Sequence, residues 1–248
     1  MFNIQISPSK LGALEACPCF FQKPYQKSDA ADEGERLHAA FEKEDLSMLD
    51  TPEQKDAVRR CLDYVSGLMP NPLPRSGSTN RPLTEFDVVL REYWLPSDIG
   101  KRGRADLLIS PASDRKLTHV VDAKFGVVPV EHARTNAQGV DYAYRVFREF
   151  PEVERVKVHF VMPRQEDVTV HEFDRERDFD DIRQRILRIH ERVNDPFRQP
   201  TPNLEKACAY CDLKAKCPAL ASSAVQVARR FNVLPLPEDF APNAPRTP

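Results

Sequence analysis

Leu117–Lys124 reads LTHVVDAK. A run of β-branched and apolar residues ending in Asp-Ala-Lys describes a short strand that delivers polar groups at its end. Side chains alternate along a strand, so Asp122 and Lys124 project to one side, with Val121 and Ala123 on the other. Arg104–Ile109, just upstream, is built the same way, with Asp106 on one face and Ala105, Leu107 and Ile109 on the opposite one. Moving outward, Phe86–Leu95, Val156–Met162 and Val168–Phe173 also read as strands. Val130–Phe150 reads as a helix whose Ala133, Ala137, Val140, Tyr144 and Phe147 form one buried face, and Phe179–Val193 as another. Residues 8–22 and 30–68 are charged, glycine-poor and periodic, hence helical, and 70–82 (PNPLPRSGSTNRP) is a loop. An irregular connection over 195–206, a cysteine-rich segment over 208–217 and a short helix over 219–231 complete the chain before a flexible proline-rich tail, 232–248. Strands in the middle and helices at both ends make an α+β fold.

The 248 residues carry 36 Lys and Arg against 38 Asp and Glu, a formal charge of −2. That balance argues against a purely electrostatic nucleic-acid binder, but it leaves room for an enzyme with local basic residues and carboxylates that hold cations. With 41% hydrophobic and 30% charged residues the chain is globular and not disordered. No apolar run approaches the roughly 18 residues of a membrane span. The start, MFNIQISPSK, has neither the basic nor the apolar region of a signal peptide, so a cytoplasmic protein is expected. The 6 cysteines are then better read as metal ligands or buried residues than as disulfides. No Gly-x-x-x-x-Gly-Lys-Ser/Thr phosphate loop occurs, so no nucleotide-driven motor is expected.

The chemistry gathers around the strand ends. Asp106 and Asp122, with the Lys124 ammonium beside them, form a candidate site for a hard divalent cation, which magnesium would occupy with substrate phosphate completing its shell. The ammonium can orient a water and offset charge developing on a phosphate. In the N-terminal helical region, Gly34, His38 and Phe41 share a helix face; a glycine there costs about 1 kcal/mol against alanine, so close approach of another backbone is expected. His38 then points toward the core side, where an imidazole can bind metal. Arg134, Gln138, Tyr142 and Arg145 fall at i, i+4, i+8 and i+11, a polar stripe suited to phosphates and a nucleic-acid backbone.

In order, the chain carries Gly34-x-x-x-His38, Gly103-x-x-Asp106, Asp122-x-Lys124 and Gln138-x-x-x-Tyr142. That succession resembles the PD-(D/E)XK nuclease superfamily, in particular its RecB-like branch, over roughly residues 8–220. The resemblance implies a restriction-endonuclease-like core: a mixed central sheet flanked by helices. It also implies one domain over 1–231, with an N-terminal helical region over 1–70, a sheet core over 83–175 and a C-terminal helix and cysteine segment over 178–231. By the same resemblance His38, Asp106, Asp122 and the carbonyl of Ala123 hold Mg²⁺ or Mn²⁺. Lys124 assists the attacking water, while Gln138 and Tyr142 stabilise the site and the DNA strand. Arg104, Arg134 and Arg145 would meet DNA, and Glu85 is an auxiliary acid. The third motif has Asp where many relatives have Glu.

Cys208-x2-Cys211-x5-Cys217 lies near the C-terminus and Cys17-Pro18 near the N-terminus. Four thiolates select zinc or an iron–sulphur cluster. The chain is similar to the four-cysteine CRISPR adaptation nucleases and AddB-type nuclease domains, which implies a [4Fe–4S] cluster on Cys17, Cys208, Cys211 and Cys217 joining the two helical ends, with zinc as the alternative. Cys19 is a substitute candidate for Cys17, and Cys61 is a buried small hydrophobe. The expected function is a metal-dependent DNA nuclease of exonuclease type, working in phage or mobile-element recombination beside a strand-annealing protein. The competing reading is a non-catalytic subunit that binds DNA ends.

Overall fold

The computed structural model describes residues 6–23, 29–72 and 83–230. Most of the expected loop over 70–82 and all of the expected tail over 232–248 lie outside them. By their contacts the described residues divide into two compact units, one formed by residues 7–9, 29–72 and 83–188 and the other by 6, 10–23 and 189–230. Among the described residues no helix is long and apolar enough to cross a membrane.

The larger unit is built on a five-stranded mixed sheet whose strands lie side by side in chain order. These are β1 (Val88–Leu95), β2 (Gly103–Ser110), β3 (Leu117–Ala123), β4 (Arg155–Met162) and β5 (Asp167–Asp174). Only β3 and β4 run parallel, because only they are joined by a helical crossover. Every residue of β3 is buried. Its neighbours β2 and β4 take both edges and helices cover both faces, so even its polar Thr118, His119 and Asp122 are enclosed.

Two helices cover one face, α2 (Asp29–Lys43) and α3 (Pro52–Gly67). Leu37, Phe41, Val58, Cys61 and Val65 from them pack with Leu107, Ile109, Val121, Ala123 and Val161 of the sheet. The stretch over 30–68, expected to be mainly helical, is formed by these two helices. The first stops where Glu44 takes a left-handed backbone (φ 53°). The second starts at Pro52 behind a reciprocal cap, in which Thr51 Oγ1 accepts from the Gln54 amide and Gln54 Oε1 from the Thr51 amide. On the opposite face α4 (Ala137–Glu149) lies against β1, β3 and β4. The helix expected from Val130 begins seven residues later, because Asn136 caps it by accepting from the Gln138 amide at 2.9 Å.

The smaller unit brings both chain ends together. Residues 8–22 hold one short helix, α1 (Leu11–Ala16), where a longer one was expected; Cys17 is already extended ahead of Pro18. The end of α5 (Arg175–Asn194), from Ile189 on, and the whole of α6 (Pro218–Arg230) belong here too. Hydrogen bonds tie the two stretches: Asp212 N donates to Phe21 O at 2.9 Å, Lys23 N to the Asp212 side-chain Oδ2 at 2.7 Å and the Arg192 guanidinium to Glu15 O at 2.8 Å.

Candidate active site

Strand register builds the site. Arg91 pairs with Leu107 and Tyr93 with Ala105, so Glu92 of β1 stands opposite Asp106 of β2. Leu107 pairs with Val121, and one step further sets Asp106 opposite Asp122 of β3. Three carboxylates thus form a row across three neighbouring strands. The ladder opens at this row. Glu92 is left-handed (φ 48°), and the Ala123 amide donates at 2.8 Å to the Asp106 side chain. From α2, His38 Nδ1 lies 3.5 Å from Asp106 Oδ2, its ring edge-on to Phe125.

Asp122 is held from α4 and from the end of β3. Its Oδ1 accepts from Gln138 Nε2 at 3.2 Å and faces the Tyr142 hydroxyl at 3.1 Å; its Oδ2 is 2.5 Å from the Lys124 ammonium. Gln138 uses its whole amide, accepting from Lys124 Nζ at 2.9 Å and donating its second N–H to Tyr142 Oη at 2.9 Å. The Tyr142 hydroxyl is also 2.8 Å from the Arg104 carbonyl, so it ties α4 to β2. These groups line one open cleft of about 580 Å³, together with Glu35 and Glu42 of α2 and with Trp94, Arg102 and Arg104.

The electrostatics of the row favour a cation. Burial, and then the neighbouring Asp122, push the Asp106 carboxyl well above the usual carboxylate range, against the pull of the Ala123 amide and Lys124. Burial also raises Glu92, with the Arg104 guanidinium, 2.7 Å away, opposing it. Burial lowers His38, keeping its imidazole neutral and able to donate a lone pair. Asp122 Oδ2 is buried without a directed hydrogen bond, its one close contact being the Lys124 ammonium. Like charges on adjacent strands repel. A set of carboxylates and one neutral imidazole suits a divalent cation of hard or borderline character. Among the described residues no three His, Cys, Asp or Glu side chains stand in metal-holding geometry. The residues fit such an ion by charge and donor type, and protein donors hold them in their present arrangement.

The structure thus brings His38, Asp106, Asp122, Lys124, Gln138, Tyr142 and Arg104 to one cleft. Ala123 joins them through its amide on Asp106. One expected DNA contact is corrected. Arg145 is 2% exposed and paired at 2.6 Å with buried Asp141, because its turn of α4 is enclosed by the neighbouring elements. Arg134 precedes α4 and does not line the cleft. Gly34 admits no close neighbour either: a Cβ there would meet nothing within 4 Å. The auxiliary acid was sought at Glu85, which sits in a turn before β1 and away from the cleft. The acid on the row is Glu92, which the sequence reading missed. Its only signal is register, since it stands as far before the β1–β2 turn as Asp106 stands after it.

The cysteines expected to bind metal all lie in the smaller unit, and all six thiols of the chain are free. Cys17 Sγ accepts from the Thr201 amide at 3.4 Å and Cys208 Sγ from the Asn203 amide at 3.2 Å. Cys19 instead donates its thiol to the Arg198 carbonyl at 3.7 Å, and burial, then Cys17, raise its pKa. Backbone N–H groups aimed at sulphur suit thiolates at Cys17 and Cys208, the chemistry a cluster or zinc requires. Cys61 is fully buried in α3, its thiol pushed up to about 12, consistent with a packing role.

Residues 82–241 match the family described as Protein of unknown function (DUF2800). No curated protein matches the chain. Among solved structures, the crystal structure of SSO0001 is 17% identical with a TM-score of 0.33, over 88% of each chain. A "Putative exonuclease" from Eubacterium rectale is 13% identical with a TM-score of 0.34, over 78% of this chain and 76% of that one. At these scores the reading of the site stands on its own residues.

Proposed function

The chain belongs to the DUF2800 family, whose description assigns no activity, and we propose that this member is a divalent-metal-dependent deoxyribonuclease. The observation that carries the reading is the row Glu92–Asp106–Asp122, with the Lys124 ammonium 2.5 Å from Asp122, in an open cleft that also holds Arg102 and Arg104. Setting three carboxylates side by side, Asp122 buried and Glu92 and Asp106 half-buried, is unfavourable unless cationic charge offsets them.

Each residue then has a task. His38, Asp106, Asp122 and the Ala123 carbonyl would hold Mg²⁺ or Mn²⁺, which when bound polarises the scissile phosphate and lowers the pKa of a water. Lys124, steadied by Gln138 Oε1 at 2.9 Å, orients the attacking water and offsets negative charge as it grows on the phosphate. Gln138 and Tyr142 fix the Asp122 carboxylate, and Arg104 draws the DNA backbone to the cleft. Attack at phosphorus with departure of the 3′-oxygen leaves a 5′-phosphate, the outcome the superfamily resemblance implies. Work from free ends, as an exonuclease, comes from the same resemblance.

The test is cleavage of end-labelled linear DNA and of a covalently closed circle by the purified chain with Mn²⁺. Linear DNA should be degraded and the circle spared. Asp122→Ala and Lys124→Ala should each lower the rate by about a hundredfold or more, with unchanged circular dichroism. Cleavage by both variants at the wild-type rate refutes the site, and binding to DNA ends without cleavage under any divalent metal favours a non-catalytic end-binding subunit.

For the smaller unit, Cys17, Cys208, Cys211 and Cys217 are read as the ligands of a structural [4Fe–4S] cluster, with zinc as the alternative. The amides on Cys17 and Cys208 sulphur, and the thiol proton Cys19 spends on a carbonyl, support Cys17 over Cys19.

A further inference from the structure

Trp94 is the chain's single tryptophan, and it stands on the wall of the cleft with 48% of its surface exposed. It pairs in register with Arg104, so the two side chains share a face of the sheet. The guanidinium of Arg102 lies over the indole, 4.3 Å from a ring centroid, and that of Arg104 at 5.7 Å. None of the tasks assigned to Asp106, Asp122, Lys124, Gln138 and Tyr142 uses this ring. An exposed indole with two exposed guanidiniums beside it combines a flat apolar surface with positive charge. Glu35, Glu42 and Glu92 also line the cleft, so its positive charge gathers near Trp94 and at Lys124.

We propose that Trp94, with Arg102 and Arg104, is a nucleobase-stacking platform at the mouth of the cleft, taking an unpaired base of a single strand. The base occupies the indole face that Arg102 covers in the free protein, and the displaced guanidinium takes an adjoining phosphate. Bases inside a duplex have both faces covered by their neighbours, so the platform accepts single strands and frayed ends and rejects paired DNA. The inference rests on the nuclease reading only for the claim that DNA is what enters the cleft.

Because no other tryptophan emits, intrinsic fluorescence reads this residue directly. The experiment titrates the full chain, in chelator so that no cleavage occurs, with a fluorescently labelled thymidine oligomer, an abasic oligomer of equal length and a blunt G·C-rich hairpin closed by a non-nucleotide linker, which has no unpaired base. Fluorescence anisotropy of the labelled DNA reads binding alongside the tryptophan emission. The thymidine oligomer should quench Trp94, and the abasic oligomer and hairpin should not. Trp94→Ala should weaken binding of the thymidine oligomer roughly 5- to 150-fold, leave the hairpin unchanged, and be largely rescued by Trp94→Phe. The platform is overturned if the oligomer binds without quenching, if the abasic oligomer quenches equally, or if Trp94→Ala binds as wild type. Cleavage with Mn²⁺ separates the two readings. A chain that cleaves but fails these tests keeps the nuclease and loses the platform, whereas one that quenches but never cleaves keeps the platform and loses the nuclease.

Discussion

Tyr64, His159 and His119 form a hydrogen-bonded chain through the sheet face beneath α3, away from the cleft. The Tyr64 hydroxyl is 2.7 Å from His159 Nδ1, and His159 Nε2 is 2.9 Å from His119 Nδ1. Burial lowers both imidazoles, His119 to about 4 and His159 to about 3. Lys157 pushes both in the same direction, while Glu172 and Asp114 pull His119 the other way. An unfolded histidine takes up its proton near pH 6.5. Between that value and about 4 the unfolded chain therefore binds protons that the folded chain refuses. Stability is fully present above pH 6.5 and is lost as the pH falls through the window. Melting temperatures from pH 7.5 to 4.5 should drop more steeply for wild type than for His159→Gln; parallel curves would show that the relay does not titrate on unfolding. His119 was plain in the strand LTHVVDAK, but its partners were not, because Tyr64 and His159 reach it from other elements.

At the scale of elements, α4 shows how far periodicity carries. Its apolar spacing correctly places Val140, Tyr144 and Phe147 in the core. The polar stripe read beside that face holds only in part: Gln138 and Tyr142 reach the cleft, but Arg145 is buried in an ion pair with Asp141 at 2.6 Å, the carboxyl of Asp141 being pushed up to about 6 by burial despite the guanidinium. β2 is the complementary case. The Gly103-x-x-Asp106 spacing was legible, but the reason for the glycine is tertiary. A Cβ at Gly103 would sit 2.6 Å from the Pro8 ring and 3.4 Å from Arg145 Nε. A proline ring is rigid, so Gly103→Ala should destabilise by about 1–3 kcal/mol in urea unfolding. It should also slow cleavage by moving Arg104 and Asp106. An unchanged unfolding midpoint would mean that Pro8 yields freely.

Across the whole molecule, the smaller unit joins chain ends that are nearly two hundred residues apart in sequence, Cys17 with Cys208–Cys217. A centre that closes so long a loop restricts the unfolded chain, although the gain grows only logarithmically with loop length. If the four thiolates hold a cluster, Cys17→Ser should lose bound iron and the absorbance near 400 nm and should melt at a lower temperature. Cys19→Ser should keep both, since its thiol is spent on the Arg198 carbonyl. Equal iron loss in the two variants would return Cys19 to the ligand set, and zinc without iron in the wild type would replace the cluster.

Short-range pattern was enough to place the five strands, to set Asp122 and Lys124 on one side, and to pick out His38, Asp106, Gln138 and Tyr142, because strand alternation and helical spacing depend only on neighbouring residues. Which acid completes the row, which arginine is buried and which aromatic ring faces the cleft depended on how β1 registers against β2 and on what covers α4. Those outcomes bring together residues far apart in the chain. Glu92 and Glu85 are equivalent candidates until β1 pairs with β2, and only the paired sheet sets Glu92 beside Asp106.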